Sequence, residues 1–590
     1  MISSRKSGSS SRRLVGRVAL VTLCVGSLGA AYAFKTVFAR PGESALRLVP
    51  ADAWAVATVD LSPSPAQALT FKKIDDALKR NGFDKFVQGV PIDELDPSAG
   101  MKEIRGFTQR SAAVAVLPPQ SGNASKSDRP SIVVFVSISD GAAVNQIMQK
   151  QGVPQFYKGV KSFKMSGGKA MMAVMDDLLV MSTEAQSIYR IQQVRNGDAN
   201  VLSVADFQAA RQQIAGDANV MGFVNPKMFT ATNKSMGGFN FGTPGGDFST
   251  RFGNQWIAMG AAVRDNGIEM SVSGKANTEV AKDMEAIFKM VSVRSDLFKI
   301  LPTGSYGMIA LSQPASYFEG LEKTLNKDAN TEKGLKEMEA KMPEEVGMDL
   351  RRDLLPAFKG DTVLAAYPGQ SGTGGLDLLL VIDDLNGADP VNAAKRLQDF
   401  AIRKTAKDAN SPPLMASMKV EGADEAFVLS DDVQSEMRKS MGQGMENSGI
   451  KRDVLMGDKT FVWAVLGKSL VASTHKGLLE KAIATLHSQG ANLSTDPNFA
   501  SVIPSLMDGS QILSAFSFSR ISEGFRATVG QEKMDAKGSD MYNSVLDALQ
   551  GLAAPLFIKT KTSPDGSSSM GMFIPLDYDK MIDLAGKAKK

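Results

Sequence analysis

Few side chains in this 590-residue chain are spaced for chemistry. The two histidines, His475 and His487, stand twelve residues apart. A structural zinc site draws four ligands from cysteine, histidine and acids, and no ligand spacing surrounds this pair, so exposed helix positions are expected for both. A serine triad would need one of them plus an oxyanion hole, and no G-x-S-x-G elbow accompanies them. "LGKS" at 466–469 imitates the end of a phosphate loop, but Val462 stands where that motif needs its first glycine. A hairpin turn is the expected reading. Ser166–Lys169 and Ser473–Lys476 satisfy S-x-x-K, but the S-D-N and K-T-G elements of penicillin-binding enzymes are missing from the sequence. The adjacent pairs Asp176–Asp177, Asp383–Asp384 and Asp431–Asp432 cannot share a strand face. Turns and helix starts are their expected places. Cys24 is the single cysteine and lies in an apolar segment, so the rest of the chain has no disulfide, thiol nucleophile or cysteine ligand. No catalytic, metal-binding or cofactor-binding residue is assigned.

Two stretches have the composition of contact surfaces. "GGFNFGTPGGDFSTRFGNQW" at 237–256 interleaves glycine with Phe239, Phe241, Phe248, Phe252 and Trp256. That combination puts much apolar area on a mobile backbone, a lip for a protein, lipid or glycan partner, or a loop folding back on its own sheet. In "LSDDVQSEMRKSMGQGMENSG", Val433, Met437, Met441 and Met445 recur every four residues. They fall along one helical face, with Ser430 as N-cap and Asp431 and Asp432 at the positive end of the dipole. Methionine surfaces adapt to varied partners, but methionine also fills irregular cores. With 31 methionines in the chain, both uses are open.

Whatever the chain contacts, its N-terminus sets where. Residues 1–40 carry Arg5, Lys6, Arg12, Arg13, Arg17, Lys35 and Arg40 and no acid. Without them, 60 basic residues face 63 acidic ones, so the formal charge of +4 belongs to a targeting segment. The nearly neutral remainder lacks the basic footprint of a nucleic-acid binder. "VALVTLCVGSLGAAYAF" runs 17 residues without a charge, about 25 Å as a helix. With Leu14 and Val15 and with Arg17 and Lys35 snorkelling, 14–38 is long enough to cross a bilayer. Positive charge before it keeps the tail 1–13 inside and the body outside. "AYA" at 31–33 leaves signal-peptide cleavage, and secretion, as the alternative.

The body reads as a repeat. "MAVMDDLLVMST" at 172–183 and "WAVLGKSLVAST" at 463–474 agree at six of twelve positions. "VPADAWAVATVDLSPSPAQAL" at 49–69 is echoed by "LPTGSYGMIALSQPASYFEGL" at 301–321, and "VAVLPPQSG" at 114–122 by "LAAYPGQSG" at 364–372. Asn200 and Phe207 correspond to Asn492 and Phe499, and "VMGFVNP" at 220–226 to "ILSAFSF" at 512–518. Each half closes on a hairpin signal, Asn-Gly or Asp-Gly. The expected fold class is α+β: two homologous modules, 41–300 and 301–590, with mixed or mainly antiparallel sheets and packed helices, after one transmembrane helix. The spacing between matches widens by about forty residues between 372 and 463, which assigns the second copy a Met-rich insertion near 405–450.

"PADAWAVATVDLSPSPAQ" following an N-terminal anchor and "MAVMDDLLVMSTEAQSIYRI" resemble a bacterial family of exported or membrane-anchored proteins, domain of unknown function family 3352. The resemblance implies no reaction, substrate or site residue. The combined expectation is a single-pass cell-membrane protein with a periplasmic or extracellular body in a non-catalytic binding or envelope-organising role, its partners the membrane through its N-terminal helix and an envelope protein, lipid or glycan, not nucleic acid. The alternative is an exported hydrolase of envelope polymers using Asp/Glu or Ser/Lys chemistry.

Overall fold

Alternating apolar and small residues in "TQRSAAVAVL" make a strand that buries one face, and most of the strands follow that period. The computed structural model describes residues 42–60, 67–81, 99–119, 130–165, 170–215, 217–225, 254–326, 329–345, 347–369, 376–383, 388–396, 399, 415–429, 460–488, 490–500, 502–506, 508–528, 543, 546–547, 549–552 and 554–588. The chain divides into two units, Met1–Val280 with Tyr578–Lys590, and Ala281–Asp577. The boundary falls some twenty residues before the sequence-based one, and the last helix, Tyr578–Ala588, belongs to the first unit. It is held there by Arg80–Asp579 at 2.8 Å, by Asn81 donating to Asp583 at 2.8 Å, and by the Tyr578 hydroxyl on the carbonyls of Arg264 and Gly267.

The first unit contains β1 (Ala55–Asp60), β2 (Thr108–Leu117), β3 (Ser131–Ile138), β4 (Gly152–Tyr157), β5 (Val160–Met165), β6 (Met171–Met175), β7 (Leu178–Ser182), β8 (Val220–Val224), β9 (Asn254–Arg264) and β10 (Gly267–Ala276). Its strands pair in the order β4-β5-β6-β7-β3-β2-β1-β8-β9-β10, every pair antiparallel. Helices Ala185–Arg195 and Ala205–Gln212 bury Ile188, Ile191 and Phe207 against Val56, Ala115, Phe135 and Phe223. A second cluster joins helices Ala99–Ile104 and Gly141–Gln151 to β3, β5, β6 and β7 through Met101, Met148, Met165, Met172 and Met181. Here methionine fills a core between short helices and the sheet, a use its flexible side chain suits.

The second unit contains β11 (Gly307–Leu311), β12 (Thr362–Pro368), β13 (Leu376–Ile382), β14 (Met415–Ser417), β15 (Glu425–Leu429), β16 (Val462–Leu466), β17 (Ser469–Ser473), β18 (Ile512–Phe516), β19 (Leu556–Thr562) and β20 (Ser567–Pro575). They pair in the order β14-β15-β16-β17-β13-β12-β11-β18-β19-β20, again antiparallel. The order is that of the first unit. Registers match as well: Ala115 pairs with Val56 and Val133, and Ala365 with Met308 and Leu379. Val180 faces Phe135 and Ala173, and Val471 faces Val381 and Ala464. Among the described residues each unit has one isolated bridge outside its strands, Pro50 with Asn200 and Pro302 with Asn492. In both, the asparagine side chain accepts the N–H two residues on, from Leu202 at 3.1 Å and from Ser494 at 3.0 Å.

This pairing changes the account of the insertion. Strands β14 and β15 lie inside 405–450, yet they occupy the places that β4 and β5 hold in the first unit. The extra residues therefore flank that hairpin on both sides. The span 14–38 and the Met437, Met441 and Met445 stripe lie outside the described residues, and among those described no helix is long and apolar enough to cross a membrane.

Candidate functional site

The residues that tempted a catalytic reading turn out to hold the backbone. The Ser473 hydroxyl accepts the N–H of His475 at 3.1 Å, and His475 Nδ1 accepts that of Gly477 at 3.1 Å, so both start the helix Lys476–Ser488. Ser182 does the same for the helix after β7, accepting from Glu184 at 3.3 Å. His487 lies in the exposed last turn, 3.0 Å from the Gly422 carbonyl. Gly467 sits at φ 62° in the β16–β17 turn, its N–H donating to Asp424 at 2.6 Å, which is a hairpin and not a phosphate cradle. Asp176 takes the same turn position in the β6–β7 hairpin at φ 56° and pairs with Arg195 at 2.7 Å. Ser166, Lys169, Asp384, Asp431 and Asp432 lie outside the described residues. Among those described, no group of three or more His, Cys, Asp or Glu could hold a metal ion.

The strongest carboxylate cluster was not singled out as such in the sequence. Asp361 and Asp383 meet where β12 begins and β13 ends. The Asp361 N–H donates to Asp383 at 2.8 Å, the Arg294 N–H to Asp361 at 2.9 Å, and the Arg294 guanidinium to Asp383 at 2.8 Å. Burial raises the Asp361 pKa; the Arg294 N–H opposes it and the Asp383 charge adds to it. Two carboxylates side by side in unlike environments are an arrangement that acid–base chemistry can use. Both groups are nonetheless buried in the second unit, 1% and 2% exposed, which closes them to a polymer. Asp496 is also buried. It accepts a bidentate pair from Arg520 at 2.7 and 2.8 Å and the N–H groups of Gly304 and Asn498 at 3.0 Å. Burial pushes its pKa up, but Arg520 and the two backbone donors more than offset that and leave it lowered. The same logic, led by Arg352, holds Asp353 at about 2.

The aromatic stretch resolves in part. Trp256 is on β9, 2% exposed, and packs with Ala258, Phe207 and Phe223 in the first unit's core. Its ring is core and not a surface contact, because its place in the β9 alternation turns it inward. Phe239, Phe241, Phe248 and Phe252 lie outside the described residues.

Two of the most exposed apolar side chains stand together on the β4–β5 hairpin, which sequence reasoning missed. Phe156 is 70% exposed and Val153 57%. Lys158 at φ 46° and Gly159 at φ 82° form its two-residue turn, the backbone that suits a tight hairpin. Tyr157 packs edge-on against Tyr189 of the helix Ala185–Arg195, ring centroids 5.7 Å apart, with the Lys158 ammonium 5.2 Å from the Tyr189 ring. Across the hairpin Phe156 faces Lys161, and Val153 faces Lys164. Among the described residues β4 has β5 as its one strand neighbour. The available signal was charge: residues 141–175 contain five lysines and no acid.

A family model described as "Protein of unknown function (DUF3352)" matches residues 15–412. No curated protein matches the chain. Among solved structures, crystal form IV of TP0453 is similar at 11% identity over 39% of this chain and 79% of that one, with a TM-score of 0.24. Crystal form I of TP0453 matches at 11% identity over 44% of this chain and 89% of that one, TM-score 0.23.

Proposed function

The chain belongs to the family described as protein of unknown function DUF3352, and within it we propose a membrane-anchored extracytoplasmic protein, built from two copies of one α+β module, with a non-catalytic binding or envelope-organising role. One observation carries the location: seven basic residues and no acid in 1–40 surround an uncharged run of 17. The shared strand order, register and asparagine caps of the two units support the reading as copies. The binding role is favoured over the hydrolase because the buried acids Asp353, Asp361, Asp383 and Asp496 are engaged by arginines and backbone N–H groups.

The location is tested with reporters fused after residue 60. An enzyme active only after export should be active there, and one active only in the cytoplasm should be silent. The reverse pattern would refute the reading. Sequencing the mature N-terminus separates a retained anchor from cleavage after 31–33.

A further inference from the structure

We propose that the β4–β5 hairpin is a membrane-contact element that seats Phe156 in the interface of an anionic bilayer. The partner is inferred from charge and shape. Phe156 and the directly opposite Lys161 share one face of the strand pair, Val153 and Lys164 share the other, and Lys158 stands in the turn with its ammonium over the Tyr189 ring. Lys150 is in the last turn of the helix that leads into β4, and Lys169 follows β5 in sequence. No acid interrupts the run between Asp140 and Asp176. An apolar ring near the tip of a strand pair that carries lysines on both faces and in its turn is the pattern of an interfacial anchor: the ring enters the acyl boundary and the ammonium groups on their long stems stay with the headgroups.

The hairpin is also built to hold that geometry. The Tyr157–Tyr189 contact fixes one face of its tip against the helix, and the Lys161 ammonium lies 4.7 Å over the Phe163 ring. Phe163 itself is buried in the core between sheet and helices. Phe156 is therefore exposed at the end of a supported strand pair, and its exposure is not a consequence of a loose loop. Pro154 on β4 removes one edge N–H, which discourages pairing with a strand of another chain. The proposal rests on the membrane location argued above for its physiological setting, though the contact itself is testable without it.

The test uses the full chain with benzoyl-phenylalanine, a photoreactive aromatic, at position 156. It is mixed with phosphatidylcholine vesicles and with vesicles containing 30% phosphatidylglycerol. After irradiation, lipid adducts are counted by mass spectrometry. Adducts at 156 are expected in the anionic vesicles, at least tenfold above those from the same group at exposed Leu69. Each lysine near a charged surface contributes about fivefold, so K158E, K161E and K164E together should cut the yield well over tenfold, and 0.5 M salt should cut it too. A thermal melt of the triple variant checks that the fold survives. Absence of lipid adducts, equal yields in neutral and anionic vesicles, or adducts to a second copy of the chain would each overturn the proposal. Flotation with the neutral vesicles reads the N-terminal anchor independently: a chain that fails to float there but still forms adducts on anionic vesicles sinks the anchor and keeps the hairpin.

Discussion

The two units place the same strands in the same order but put different chemistry at equivalent points. At the start of the second strand and the end of the third, the first unit has Ser111 and Ser137, both buried, where the second has Asp361 and Asp383 with Arg294. At the turn before the next short helix, Val204 stands where Asp496 stands. At the edge, the first unit has a basic hairpin with exposed Phe156. The second has a hairpin carrying Glu421, Asp424 and Glu425, with its Phe427 buried against Trp463. The shared positions are apolar or cap the backbone, such as Phe207 and Phe499 or Asn200 and Asn492. Most of the differing positions are as enclosed as the shared ones: Ser111, Ser137, Asp361, Asp383 and Asp496 are all buried. The buried acids of the second unit are accommodated because each has a partner there, Arg294 for Asp361 and Asp383 and Arg520 for Asp496.

The largest expected effect tests the shared part. Phe207→Ala and Phe499→Ala each remove a fully buried ring and should cost about 3–5 kcal/mol. Chemical denaturation, with hydrogen exchange assigning the loss to a unit, should find the two costs within about 1 kcal/mol of each other. A large cost in one unit alone would break the equivalence.

Asp496→Asn tests a difference. It leaves Arg520 facing a neutral group in a buried site and should cost about 3 kcal/mol, confined to the second unit. The pH dependence has a fixed sign. The Asp496 pKa is lowered in the folded state, so its contribution is complete above the unfolded value near 4 and fades as pH falls below it. The variant should therefore lose stability at pH 7 and lose less of it on acidification to pH 3, as read from melts across that range. An unchanged acid slope would remove Asp496 from the account.

The smallest effect sharpens the comparison at one turn. Asp176 and Gly467 both hold positive φ between paired strands. Asp176→Gly should gain up to about 1 kcal/mol by relieving the left-handed backbone, less the exposed Arg195 pair, and Gly467→Ala should lose about 1 kcal/mol. Thermal melts resolve both. Equal signs would mean that the two turns are not equivalent.

What was legible in the sequence is short-range. The turn at 176–177 and the hairpin turn at 466–469 follow from side chains and backbone acting within a few residues of themselves. The candidate site was less legible. A glycine-aromatic run marked Trp256 as a contact, but a strand's period does not say which face another element covers.

The sequence by itself determined the α+β class and the turns, since each depends on periodicity or backbone conformation. Only the tertiary structure decided that β4 is an edge, that helix Ala185–Arg195 covers Tyr157 and leaves Phe156 bare, that Asp361 meets Asp383, and that the C-terminal helix returns to the first unit. Those contacts join residues up to some five hundred positions apart, as Asn81 and Asp583 are, and burial at such distances is set by what packs there and not by the residue's own pattern.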